Sequence, residues 1–345
     1  MAFSEAIDAA VLEAMARDER VLLFGEDVEV LRAPLFARFG SGRVLDTPIS
    51  ESAFLGAAVG AAMGGLRPVV EIMLVDFFPV ALSAVVNEMA KVGAFSGERW
   101  QCPLVVRAAC GGGYGDGGQH EQALWGMLAG IPGLKVVVPS TPADAAGLMR
   151  GAIEDDGPVI FLEHKLLSRA WLDPMAGSSR AAVSFDVPAD GAEGEVAQPI
   201  EAIALGSAAT RLAGADLTIA SVGVGVHRSL AAAGVLAEGG IAAEIIDLRT
   251  VRPLDRATLL RSVRRTKALL AVDEDYREFG LTGELAAVCA EAGLRFDFAR
   301  VAMDGVAIPY DRAREDAALP SVGRIVETAL TLCVRKRQAV TVPPD

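Results

Sequence analysis

Asparagine occurs once among 345 residues, at Asn87, and histidine three times, at His120, His164 and His227. The four cysteines, Cys102, Cys110, Cys289 and Cys333, show neither CxxC nor zinc spacing. They read as buried thiols of a reducing compartment, not as disulfides or a metal centre. Basic residues are also short. The 32 Lys and Arg against 45 Asp and Glu give a net charge of −13, which excludes duplex nucleic acid as a partner, because that needs a basic face. The densest basic cluster, Arg335-Lys336-Arg337, reads as a solvated helix end. Long apolar runs are missing too. The longest uncharged stretch, Ser52 to Leu66, has 15 residues including four glycines, where a spanning helix needs about 18 or more apolar residues. The opening MAFSEAIDAAVLEAM lacks the basic start and unbroken apolar core of a secretory signal. The expectation is a soluble, cytoplasmic protein with no membrane and no nucleic-acid partner.

What is abundant is apolar surface, at 52% of residues, which is the opposite of a disordered composition. Strand-like runs at Val21–Phe24, Val69–Leu74, Leu104–Ala108, Lys135–Val138 and Val159–Leu162 alternate with helical patterns near Ser52–Met63, Phe78–Val92 and Pro142–Glu154. Strands apolar on both faces and separated by helices predict a parallel sheet covered on each side. The rhythm breaks in an Ala-, Gly-, Ser- and Pro-rich stretch with one short strand expected at Ala202–Leu205. It resumes with strands at Leu217–Val222, Ala243–Ile246, Leu269–Val272 and Phe296–Val301, and helices from His227, Asp255, Gly283 and Val322. The fold class expected is α/β, with two doubly wound parallel-sheet domains. Their expected extents are 1–175 and 214–335, with a linker over 176–213 and a tail over 336–345.

The loudest local signal is Gly111-Gly112-Gly113-Tyr114-Gly115-Asp116-Gly117-Gly118, six glycines in eight residues, following the strand that starts at Leu104. Gly113, Gly115 and Gly118 satisfy GxGxxG, but the next strand ends in Pro139-Ser140-Thr141 without the acid a nicotinamide ribose needs. A loop that approaches a ligand closely is the better reading, because His120 follows it directly at the carboxyl end of a parallel strand. His164 and His227 read as structural. Glu51 opens a helix whose small residues, Gly56, Ala57, Gly60 and Ala61, suit close packing against another chain.

Several segments together resemble one family. GEDVEV (25–30), RVLDTPISES (43–52), GLRPVVEIMLVDFF (65–78), GGGYGDGGQHEQ (111–122), IPGLKVVVPSTPADAAGL (131–148) and AIEDDGPVIFLEHK (152–165) are similar to the β subunit of heterotetrameric thiamine-diphosphate-dependent 2-oxo-acid dehydrogenases. EIIDLRTVRPLD (244–255), AVDE (271–274) and PYD (309–311) continue the likeness into the second half. The resemblance implies a pyrimidine-binding domain followed by a transketolase-type C-terminal domain. It implies that Glu51 hydrogen-bonds the cofactor's aminopyrimidine, which favours the imino tautomer able to deprotonate the thiazolium carbon. Ile49, Met73 and Phe77 would line that ring. His120 would assist decarboxylation or transfer to a lipoyl group. Leu104, Val105, Ala152, Asp155 and Gly157 match positions that hold a potassium ion in some relatives, largely through carbonyls.

The chain departs from the family pattern in reading His120-Glu121-Gln122 where His-Ser-Gln is usual, in a short segment after GEDV, and in a long linker. The extra carboxylate is expected to raise the pKa of His120 or alter what approaches it. Thiamine enzymes bind magnesium and diphosphate through GDG and a later asparagine. Gly115-Asp116-Gly117 resembles the first element, but the single asparagine, Asn87, lies upstream. The magnesium–diphosphate half is therefore expected from an α subunit in an α₂β₂ assembly, with a lipoyl carrier or acyltransferase core receiving the acyl unit. A transketolase-like subunit cleaving a ketose phosphate, a subunit that has lost its chemistry, and a nicotinamide oxidoreductase are the competing readings.

Overall fold

A computed structural model describes residues 1–168 and 189–341. The first part of the expected linker, 176–188, lies outside the described residues.

Seven strands form one sheet in the order β10-β5-β6-β4-β3-β1-β2. They are β1 (Val21–Gly25), β2 (Val44–Asp46), β3 (Arg67–Leu74), β4 (Val105–Cys110), β5 (Lys135–Val137), β6 (Val159–His164) and β10 (Thr250–Arg252). All pair in parallel except β10, which runs antiparallel to β5. A second sheet has the order β12-β11-β8-β9-β7, from β7 (Ala209–Leu212), β8 (Leu217–Ser221), β9 (Ala243–Asp247), β11 (Ala268–Tyr276) and β12 (Asp297–Met303). Only its edge strand β7 is antiparallel. Two parallel-sheet α/β domains are thus present, as the apolar runs predict, and β10 stitches the second half of the chain onto the first sheet.

Three expectations need correction. Ala202–Leu205 forms no strand, and the strand in that region is β7, a few residues later. The helix expected over Phe78–Val92 is broken into a 3-10 turn at Val75–Ala81, a π-helical turn at Ala84–Met89 and a short α-helix at Val92–Ser96. Pro79 lies inside that segment and supplies no backbone donor, which disfavours a regular helix there. The final helix runs from Val322 to Thr341, into the stretch expected as a tail. Residues Arg312–Lys336 meet the length and composition of a membrane-crossing helix. Ile325, Ala329 and Leu332, however, are buried against the second sheet, as in the core helix of a folded domain.

The packing positions the site. The Phe3–Arg17 and Pro142–Glu154 helices pack together on one face of the first sheet. The Glu51–Met63 helix packs on the other through Phe54, Leu55, Ala58, Val59 and Ala62, leaving Ala53, Ala57 and Gly60 outward. The carboxyl ends of β1, β3 and β4 then form one rim, where parallel sheets present ligands to their loops.

Candidate functional site

Four loops meet at this rim. Glu26 and Asp27 follow β1, Glu51 begins its helix after β2, Asp76 and Phe77 follow β3, and the glycine loop with His120 follows β4. Glu51 is only 9% exposed, and its side chain forms no hydrogen bond or ion pair among the described residues. Its negative neighbour is Glu26, whose pKa is raised chiefly by burial and then by Asp27 and Glu51. A buried carboxyl without an internal partner at a helix start is available to a ligand.

Phe77 and His120 stand edge to face, with ring centroids 6.0 Å apart. The His120 amide donates to the Gly117 carbonyl at 3.1 Å, and its own carbonyl accepts from Lys165 Nζ at 2.5 Å. Its Nδ1 is enclosed without a partner, as are Thr47 Oγ1 and Asp76 Oδ2 on neighbouring loops. Asp76 Oδ1 accepts from Gln122 Nε2 at 2.8 Å, and burial raises the Asp76 pKa. Met73 is half-buried at the end of β3, whereas Ile49 is 73% exposed.

The structure places Glu121 differently from the sequence expectation. Its side chain is fully buried, and its carboxyl accepts the amides of Tyr114 at 2.8 Å and Gly117 at 3.3 Å. It serves the loop's interior and not the ring of His120.

The second domain holds this loop, which the sequence reading missed. Glu274, from AVDE, accepts the Gly112 amide at 2.6 Å, His164 Nε2 at 2.9 Å and Arg228 Nη1 at 2.8 Å. Burial opposes its charge, yet His164, Arg228 and the Gly112 amide hold its pKa down at about 2. The Leu166 amide donates to His164 Nδ1 at 3.2 Å, so Nδ1 is the acceptor of this ring and Nε2 its donor. His164 is structural, as read. Glu315 accepts the Gly113 amide at 2.6 Å and Arg312 donates to the Gly113 carbonyl at 2.9 Å. The only sequence signal for these partners was the run of family motifs around them.

Of the five residues matched to a potassium site, Leu104, Ala152 and Asp155 have carbonyls that face internal donors. Leu104 O accepts from the Val159 amide at 2.8 Å and Ala152 O from the Asp155 amide at 3.3 Å. Arg67 Nη1 donates to Asp155 O at 3.0 Å, and Lys135 pairs with the Asp155 carboxylate. Two positive side chains thus hold this loop.

An aromatic wall, an unpartnered buried carboxyl and three enclosed orphan polar atoms on one rim fit the pyrimidine half of thiamine diphosphate. Asn87, the single asparagine of the chain, lies upstream of Gly115-Asp116-Gly117, and its Oδ1 accepts from Lys91 Nζ at 3.3 Å.

Comparison with known proteins agrees with both sheets. Residues 1–170 match the family model of the transketolase pyrimidine-binding domain, and residues 206–330 that of the transketolase C-terminal domain. The 2-oxoisovalerate dehydrogenase subunit beta of Bacillus subtilis is 39% identical, over 84% of each chain. The acetoin:2,6-dichlorophenolindophenol oxidoreductase subunit beta of Cupriavidus necator is 38% identical, over 94% of this chain and 95% of its own. The mitochondrial pyruvate dehydrogenase subunit beta-2 of Oryza sativa subsp. japonica is 38% identical, over 97% of this chain and 87% of its own. A split-gene transketolase, described as an inactive beta4 tetramer, superposes with a TM-score of 0.76 at 20% identity, over 97% of this chain and 98% of that one; at that identity the likeness shows the fold alone. The chain belongs to the family of thiamine-diphosphate-dependent 2-oxo-acid dehydrogenase β subunits.

Proposed function

We propose that this chain is the β subunit of a 2-oxo-acid dehydrogenase and works in an α₂β₂ assembly. An α subunit would supply magnesium and the diphosphate half of each site, and a lipoyl carrier on an acyltransferase core would take the acyl unit. A reducing, cytoplasmic setting goes with this reading, since all four cysteines are free and buried. The division into a pyrimidine-binding domain over 1–175 and a C-terminal domain over 214–335 belongs to it as well.

The observation that carries the reading is Glu51, buried, without an internal partner, at the start of the helix that follows β2, while Phe77 and His120 meet on the loops after β3 and β4. Thiamine diphosphate, when bound, supplies the nucleophilic carbon and the electron sink for decarboxylation. In this chain Glu51 would donate to or accept from the pyrimidine ring nitrogen. Ile49, Met73 and Phe77 would bracket the ring and exclude water. His120 would move a proton at the substrate or lipoyl sulfur, from a loop separate from Glu51. Exposed Ile49 and Val80, at 73% and 61%, and the outward small face of the Glu51–Met63 helix suit a rim that a partner subunit covers.

Substrate class is tested by assaying the chain with its α partner against pyruvate, branched 2-oxo acids and ketose phosphates. Turnover of a 2-oxo acid with reduction of lipoamide is expected. Cleavage of a ketose phosphate alone would support the transketolase-like alternative instead.

A further inference from the structure

The glycine loop that carries His120 is held through its backbone. The amides of Gly112, Gly113, Tyr114 and Gly117 all donate to carboxylates, namely Glu274, Glu315, Glu121 and Glu121 again. Two of those acids come from the second domain. Glu121 and Glu315, both fully buried, accept the adjacent amides of Tyr114 and Gly113, which sets their carboxyls side by side. Glu315 Oε2 finds no donor among the N–H groups around it. A contact between two carboxyls is attractive only when one of them holds a proton, because like charges at that distance cannot both be ionised. A proton on Glu121 gives Glu315 its missing donor and leaves Glu121 able to accept from the loop amides.

We propose that Glu121 and Glu315 are positioning residues, a carboxyl pair sharing one proton across the domain boundary and clamping the glycine loop that presents His120. This deepens the proposed function and rests on it for the importance of His120. It also gives a role to the residue by which this chain departs from the His-Ser-Gln pattern. Serine is too short to span the loop's interior to a second-domain acid. The clamp therefore belongs to chains carrying both glutamates.

The clamp has a pH signature. Burial first, then the contact with Glu315, raises the Glu121 pKa from its ordinary 4.5 to about 9, while Lys165 pulls it down. The closed loop keeps its proton where an opened, solvated Glu121 has lost it. Stability of the closed loop is thus complete below about 4.5 and declines as pH rises towards about 9, by up to about tenfold in the opening equilibrium per pH unit. The other groups facing the loop are Lys165 beyond β6, Asp76 after β3, Glu274 on β11, Cys110 on β4, and Tyr310 and Arg312 beside Glu315. Lys165 and Arg312 are the two of opposite sign, and of these Lys165 is the one whose pKa is lowered. Burial lowers the Lys165 pKa, so opening favours its protonated form and works against the Glu121 effect. The comparison is therefore best read between about pH 5.5 and 8, and always against a variant that keeps Lys165.

The test is hydrogen exchange of the Tyr114 and Gly117 amides in the full chain, expressed as protection factors at several pH values. In the native chain protection should fall with pH across that range, by up to about tenfold per unit. Glu121→Gln keeps the shape and the donor to Glu315 but cannot ionise, so its protection should be flat. Glu315→Gln should keep a shallower slope that levels off at a lower pH than in the native chain, because burial still raises the Glu121 pKa but the contact with the Glu315 carboxylate is gone. A native-like slope in either variant overturns the proposal, as does a flat profile in the native chain. Should Glu121→Gln fail to fold, the Glu315→Gln arm decides alone. Exchange needs neither substrate nor partner. A slope abolished in Glu121→Gln and weakened in Glu315→Gln, together with an assembled enzyme indifferent to His120→Ala, would keep the clamp and reject the role of His120.

Discussion

Glu51→Gln in the assembled enzyme is expected to slow every thiamine-dependent step together, by about 10²–10⁴-fold, the usual scale for a positioned acid or base. The substitution preserves volume and the ability to hydrogen-bond but removes the ionisable proton. Glu51 is buried with no internal partner, so nothing else in the chain compensates for that loss. The effect should appear in the first step, hydrogen–deuterium exchange at the thiazolium carbon, followed by NMR without any substrate. His120→Ala should leave that exchange nearly intact while overall turnover falls, because His120 lies on the β4 loop against Phe77. Equal loss of exchange in both variants would contradict the division of labour. Normal exchange in Glu51→Gln would remove the basis for assigning Glu51 at all.

Gly111→Ala is expected to destabilise the first domain by about 3–5 kcal/mol, combining a strained backbone with an overpacked core. Gly111 has φ +92°, and a Cβ there would fall inside the His164 imidazole. The clash follows from register. Parallel pairing sets His164 opposite Cys110, so its ring lies under the residue that follows. His164 cannot retreat, since Glu274 and the Leu166 amide fix both its nitrogens. Thermal unfolding should move down by roughly 10 °C. Gly283→Ala is the control. It sits in the Leu281–Glu291 helix with an ordinary backbone and nothing within 4 Å of the methyl group that alanine would add, so its melting point should hold or rise slightly. Equal behaviour of the two variants would show that the loop's close approach to His164 is not structurally important.

The central strands were legible because each is apolar on both faces, as VVRAAC in β4 and VIFLEH in β6 show. The edges were not. β2 and β10 have three residues each, and β7 alternates between half-buried and exposed positions, so none carries a run long enough to stand out. The break at Pro79 was present in the sequence but was outweighed by the apolar residues around it. At the site, Glu51, Phe77 and His120 were found through local motifs, and the rim brings Phe77 and His120 into contact. Glu274 and Glu315 were not found, because their meaning depends on contacts 162 and 202 residues away along the chain. No local spacing encodes such a contact. Glu121 stands out by its chemistry, but the direction of its side chain is set by the loop's turns, which no local pattern encodes.

The claim that this chain provides half of a cofactor site is tested most directly by calorimetric titration of thiamine diphosphate and magnesium, first into the chain alone and then into the chain with its α partner. The chain alone should bind weakly or not at all, since its single asparagine, Asn87, lies upstream of Gly115-Asp116-Gly117, and tight, magnesium-dependent binding should appear only with the partner. Micromolar, magnesium-dependent binding to the chain alone would contradict the account.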